Sequence, residues 1–239
     1  QMLYFQGEPF LNLEIFKMIK YSDDNKIYTT LSTNGHYLTK ENNLKIIQSG
    51  LKEILISVDG ITQESYQKYR IGGNLNTVLN GIKNLIASKQ ELKSKYPKVI
   101  VQFLVFKHNE HEINDIKTLC KKLKIKLELK SAQIYDNKNM DLIPNHEKYA
   151  RYYKQKDLQI KTKFKNRCFR IWSTLVVTWE GFIIPCCFDK YNHHVVGNIS
   201  NKKAFLLWKS KQFNIFRQQI LLNRKGFEIC HNCTEGLKL

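Results

Sequence analysis

Up to about residue 155 the chain alternates short β-rich runs with amphipathic stretches, and that alternation restricts it to a small set of folds. Leu3–Gln6, Ile27–Ser32, Glu53–Val58, Val99–Phe106 and Leu127–Ser131 read as strands bounded by Gly, Asn and Asp. Between them, Leu13–Tyr21, Lys40–Gln48, Leu75–Leu92 and Ile113–Leu123 read as helices. In the longest of these, apolar residues recur at three- and four-residue steps: Leu75, Val78, Leu79, Ile82, Leu85 and Ile86. Asn109 followed by Glu112 predicts a helix start. Strand–helix alternation builds a parallel sheet, open or closed into a barrel, whose working edge is the C-terminal ends of its strands. Four segments fall on that edge: Gly7-Glu8-Pro9, Thr33-Asn34-Gly35, Ser57-Val58-Asp59-Gly60 and Lys107-His108-Asn109. Any one Asn-Gly or Asp-Gly is only a turn former. Four polar exits at one rim indicate a binding edge.

From about residue 160 the character changes. Leu175–Thr178 and Phe182–Ile184, joined through Trp179-Glu180-Gly181, read as an antiparallel hairpin, and Phe205–Leu222 as a helix. The expected organisation is therefore a first domain over 1–159 and a second over 160–239.

Five of the six cysteines lie in that second part. Cys230-His231-Asn232-Cys233 is a two-sulfur chelate, since two intervening residues let both thiolates face one centre. Cys168 and Cys186 flank the hairpin, which returns its ends to one place. Four thiolates can thus converge on tetrahedral zinc or on an iron–sulfur cluster, and the spacing does not choose between them. Cys187 is a spare neighbour of Cys186; with side chains alternating along a strand, only one of the two should face the metal. Cys120, within a helical pattern, reads as a small buried apolar residue. His193 and His194 lie close by, as metal ligands or as residues of a surface loop.

The formal net charge is +18. Its lysines distribute around amphipathic helices, and no RNP-type, zinc-finger or helix-turn-helix signature accompanies them, so the charge reads as composition spread over solvated faces. No apolar run approaches a membrane span and no signal peptide opens the chain, which points to a cytoplasmic protein that engages neither membrane nor nucleic acid.

Cys168, then Gly181 followed by four residues and Cys186, then Cys230-x-x-Cys233, resembles the SPASM/twitch pattern of radical S-adenosylmethionine enzymes. The spacing is close to that of inosamine dehydrogenases of aminoglycoside biosynthesis. Gln6-Gly7-Glu8-Pro9 resembles the family's Gly-Gly-Glu-Pro segment. Ser57-Val58-Asp59-Gly60 resembles the segment after the fourth barrel strand, and Arg70 stands where sulfatase-maturating members carry an arginine. The resemblance implies an α/β fold: an incomplete (β/α)6 radical SAM-type barrel, then a small α+β SPASM/twitch domain with a β-hairpin and helix. It implies S-adenosylmethionine contacted by Gly7, Glu8, Ser57, Asp59 and Arg70, and an auxiliary [4Fe–4S] cluster on Cys168, Cys186, Cys230 and Cys233. Glu8 suits the cofactor's ammonium and Arg70 its carboxylate. It further implies hydrogen abstraction from a peptide or small-molecule substrate, with an electron donor such as flavodoxin or ferredoxin.

The family's Cys-x-x-x-Cys-x-x-Cys, which holds the cluster that cleaves S-adenosylmethionine, occurs nowhere in the sequence. With a first strand that resembles the family's second, the expectation is a truncated chain, inactive by itself, whose second [4Fe–4S] cluster belongs to a preceding segment. Leu3-Tyr4-Phe5-Gln6-Gly7 also matches the end of a protease tag site, although it reads naturally as a strand entering a glycine turn. The competing reading is a zinc-ribbon-like module on an α/β domain that binds an acidic partner or nucleic acid.

Overall fold

The computed structural model describes residues 1–153 and 158–235. They form two units: Gln1–Ala132 with Asp141–Ala150, and Gln133–Met140 with Arg151–Leu239.

In the first unit, helices α1 (Ile15–Asp24), α2 (Lys40–Gln48), α3 (Gln63–Tyr69), α4 (Leu75–Glu91) and α5 (Ile113–Lys122) alternate with strands. These are β1 (Thr30–Thr33), β2 (Glu53–Ser57), β3 (Lys98–Val105) and β4 (Lys126–Ser131). The sheet is parallel in the order β1-β2-β3-β4, with Thr33 opposite Ile56, Ser57 opposite Gln102 and Val105 opposite Ser131. Four consecutive residues of β2, Ile54 to Ser57, are buried, as expected of a parallel strand covered on both faces. The α4 stripe supplies Val78, Ile82 and Leu85 to the same core, which also takes Leu31, Ile54, Ile56, Val101 and Phe103. Cys120 lies in this core, and burial pushes its thiol up to about 11.

The structure departs from the sequence reading at several places. Instead of a strand over Leu3–Gln6, there is one parallel bridge, Met2 to Thr30, flanked by bonds from Thr30 N to Gln1 O and from Leu3 N to Thr30 O. The chain then leaves the sheet edge because Gly7 turns it at φ +75° and Pro9 opens a 3-10 turn that buries Phe10. Helix α3 is not legible in the sequence, since only the adjacent Ser65 and Tyr66 of its seven residues are buried and no period shows.

The Asn109/Glu112 pair does not cap its own helix. The Asn109 carboxamide instead donates to the carbonyls of Asp59 and Leu104 and accepts from Phe106 N. The buried Glu112 carboxylate accepts from Ile61 N, Thr62 N and the hydroxyls of Thr62 and Ser65, so it caps α3 from across the fold. Glu112→Ala leaves two backbone donors unpaired and should destabilise the protein by about 2–4 kcal/mol. The check is a lower urea midpoint at unchanged m-value.

In the second unit, β5 (Tyr152–Tyr153) pairs antiparallel with β6 (Gln159–Ile160), and a short helix α6 spans Arg170–Ser173. Strands β7 (Val176–Val177), β8 (Phe182–Ile184) and β9 (Gly197–Asn198) form an antiparallel sheet in that order. The expected hairpin is β7-β8, its turn closed by Gly181 N donating to Thr178 O, with Gly181 at φ +82°. The third strand was missed because it is two residues long. Its Gly197 leaves room for Leu207, whose side chain would sit 2.5 Å from an added Cβ. The helix expected over Phe205–Leu222 divides into α7 (Ala204–Trp208) and α8 (Lys211–Asn223), because the Ser210 hydroxyl accepts from Phe213 N and starts a new helix. Phe213, Phe216 and Ile220 pack with Ile171, Ile183, Val196 and Leu207, together with Cys168 and Cys230. Among the described residues no helix is long and apolar enough to cross a membrane.

Candidate metal centre and cofactor rim

Four thiols line one cavity of the second unit: Cys168, Cys186, Cys230 and Cys233. Cys168 stands just before α6 and Cys186 just after β8, so the closed hairpin brings them together. Cys230 and Cys233 share one turn, in which Cys230 N donates to Phe227 O and Cys233 N to Cys230 O. All are free thiols. Burial pushes the Cys230 thiol up to about 12, neighbouring sulfurs adding to the rise while Arg224 opposes it; burial raises Cys233 likewise.

Cys187 does not line this cavity. Its sulfur accepts from Arg170 Nη1 at 3.4 Å; the hydrogen bond from Cys186 and the Arg170 charge pull the Cys187 thiol down, and the same bond together with burial pushes Cys186 up. His193 and His194 place their amides on the Asp189 carboxylate and their rings beside Glu228. Neither histidine lines the cavity.

Glu235 also lines the cavity, but its carboxylate is paired with Arg151 and Arg170, which leaves a sulfur donor set that suits soft iron–sulfur ligation. Zinc–thiolate bonds of about 2.3 Å would crowd four sulfurs to within about 4 Å of one another. Among the described residues no three His, Cys, Asp or Glu side chains gather closely enough to hold a single ion. The four thiols share one cavity with the buried Arg224 guanidinium, whose Nε has no partner among the described residues. These residues fit a cluster.

In the first unit, Gly7, Glu8, Ser57, Asp59 and Arg70 lie toward the C-terminal edge of the parallel strands. The Glu8 carboxylate is fixed by Thr33 Oγ1 at 2.8 Å, Asn34 N at 2.8 Å and Phe10 N at 3.2 Å, three of the roughly four acceptor positions of a carboxylate. Ser57 ends β2 and is buried. Asp59 is fully buried and both its oxygens are engaged: Oδ1 accepts from Leu104 N at 2.7 Å, Oδ2 from Arg70 Nε and Nη2 at 2.7 and 2.6 Å. Its carboxylate thus orients Arg70, whose remaining fork donors stay available. Burial pushes the Asp59 carboxyl up while Arg70 and the Leu104 amide pull it down. The exit segments Thr33-Asn34 and Lys107-His108-Asn109 act mainly as scaffolding: Thr33 and Asn34 hold Glu8, and Asn109 holds Asp59 O. The polar strand exits signalled them, but sequence spacing does not say which partner each meets.

The Radical SAM superfamily model matches residues 1–120, and SPASM, an iron–sulfur cluster-binding domain, matches residues 168–234. A GTP 3',8-cyclase of Nautilia profundicola is 27% identical over 219 residues, covering 78% of this chain and 65% of its own length. The chain thus spans somewhat under two thirds of that relative. A GTP 3',8-cyclase of Aliarcobacter butzleri is 31% identical, with 76% of this chain and 62% of the relative covered. An AdoMet-dependent heme synthase of Methanosarcina barkeri is 30% identical over 118 residues, 49% of this chain and 32% of that protein. Among solved structures, BtrN in complex with AdoMet and 2-DOIA superposes with a TM-score of 0.56 at 17% identity, covering 98% of this chain and 72% of that one. Streptococcus suis SuiB bound to precursor peptide SuiA gives 0.61 at 14% identity, covering 88% and 54%. With the superfamily model matching half of its residues, the chain belongs to the radical SAM superfamily and carries an iron–sulfur cluster-binding SPASM domain, and S-adenosylmethionine and [4Fe–4S] clusters are the cofactors of that combination.

Proposed function

We propose that the protein binds S-adenosylmethionine on Gly7, Glu8, Ser57 and Arg70 and an auxiliary [4Fe–4S] cluster on Cys168, Cys186, Cys230 and Cys233, and that it oxidises or otherwise modifies a peptide or small-molecule substrate. The observation that carries this reading is the convergence of four thiols from three separate stretches on one cavity. Glu8, held by three donors, presents its remaining acceptor capacity to the cofactor's ammonium. Arg70, steadied by Asp59, turns its free N–H groups to the carboxylate. When bound and reduced, S-adenosylmethionine supplies the radical that removes a hydrogen atom from substrate. Four protein thiolates leave no coordination position open on the auxiliary cluster, so its task is to accept an electron and not to bind substrate. The substrate range follows the neighbours: relatives named for GTP and haem, structures solved with 2-DOIA and with a precursor peptide. A flavodoxin or ferredoxin is the proposed electron donor.

Reductive cleavage needs a Cys-x-x-x-Cys-x-x-Cys that these 239 residues do not contain, so binding is the measurement to make on this chain. Equilibrium dialysis should show saturable S-adenosylmethionine binding, weakened about ten- to hundredfold in Glu8→Gln, the worth of one charge-assisted bond. Wild-type protein with no saturable binding defeats the assignment.

A further inference from the structure

Arg224 is only 1% exposed, although it opens a short 3-10 turn, Arg224–Gly226, near the end of the described chain. Its Nη1 donates to Arg167 O at 2.5 Å, and Nη2 to Cys233 O at 3.3 Å and Glu235 O at 2.8 Å. One guanidinium thus ties the backbone just before Cys168 to the backbone of Cys233. Its Nε finds no partner among the described residues, and the side chain lines the cavity of the four thiols. A guanidinium cannot shed its proton, so a buried one with a free donor demands an anion or an acceptor. The other guanidinium at the cavity, Arg170, is partly exposed and already engaged by Cys187.

A cluster held by four thiolates is net anionic and gains one further negative charge on reduction. We propose that Arg224 is the counter-charge of the auxiliary cluster, donating from Nε to a cluster or ligand sulfur, so that it raises the cluster's reduction potential while joining two of its ligand-bearing segments. This rests on the cluster reading above and extends it. Positive charge and N–H···S bonds stabilise the more negative, reduced state, so their loss lowers the potential. Electron acceptance from a substrate would then become less favourable.

The test uses anaerobically reconstituted wild type, Arg224→Lys and Arg224→Met, with iron analysis and an EPR-monitored redox titration. The expected result is a clear shift to lower potential in Arg224→Met, with Arg224→Lys between it and wild type. An iron-loaded Arg224→Met at the wild-type potential overturns the role of Arg224. Wild type that takes up no iron overturns the cluster reading itself, a different outcome. Should the variants fail to load, Arg170→Lys protein labelled with 15N in its arginines decides the matter. Its reduced cluster should show 15N hyperfine coupling, and the lack of any coupling refutes the bond.

Discussion

Cys168→Ser, Cys186→Ser, Cys230→Ser and Cys233→Ser should each strip the reconstituted protein of its brown colour at about 400 nm and of its iron, whereas Cys187→Ser and Cys120→Ser keep both. The argument is geometric. The first four sulfurs line one cavity, Cys187 is turned to Arg170, and Cys120 is packed in the core of the other unit. Partners that merely orient a ligand change metal affinity about 10- to 100-fold, so losing a direct ligand should cost more than about 100-fold. Burial also favours the protonated forms of Cys230, near 12, and of Cys233. Cluster assembly must displace those protons, and iron uptake should therefore weaken as pH falls. The instructive comparison is Cys186→Ser with Cys187→Ser. Iron retained in the first and lost in the second would reverse the ligand assignment.

The second large effect lies at the rim. Arg70→Met should destabilise the protein by about 3–5 kcal/mol at pH 7, because it leaves the fully buried Asp59 carboxylate without its cation. Burial already pushes that carboxyl up, and Arg70 is the chief opposing influence. Without Arg70, the folded-state pKa of Asp59 rises further above its unfolded value of about 3.9. The folded protein then holds a proton that the unfolded chain has lost. Stability therefore falls as pH rises between those two values, and the deficit of Arg70→Met should shrink as pH is lowered from 7 toward 4. Asp59→Asn should cost less, since the remaining Arg70 side chain is about a quarter exposed and can hydrate. Urea unfolding of wild type and variant at several pH values measures both claims. A deficit independent of pH would contradict the buried ion pair as its source.

Much of the parallel unit was legible because its signals are periodic. Helix α2 begins and ends where the apolar spacing placed it, and α4 and the strands β2 to β4 do so within a residue or two. What escaped the sequence is set by partners far away in the chain. The Asn109/Glu112 spacing marked a helix start without supplying its cap, and the Glu112 carboxylate serves α3, some fifty residues earlier. The serine that divides α7 from α8 competes with an otherwise continuous apolar pattern, and local spacing could not weigh the two. At the thiol cavity, cysteine spacing grouped Cys168, Cys230 and Cys233 with one of Cys186 and Cys187 because a hairpin and a turn have fixed reach, and the family resemblance pointed to Cys186. Spacing was blind to Arg224, which carries no motif and matters only because folding buries its charge beside sulfur. Likewise, Glu8 and Arg70 were visible as residue types, while their holders Thr33, Asn34 and Leu104 N emerge only from register between strands.

The most direct test of the account is metal and sulfide analysis, with 57Fe Mössbauer spectroscopy, of protein reconstituted anaerobically while zinc is offered in competition. The account predicts about four iron and four sulfide per chain and the spectrum of a cubane ligated only by thiolates. One zinc per chain, with iron and sulfide absent, would contradict it.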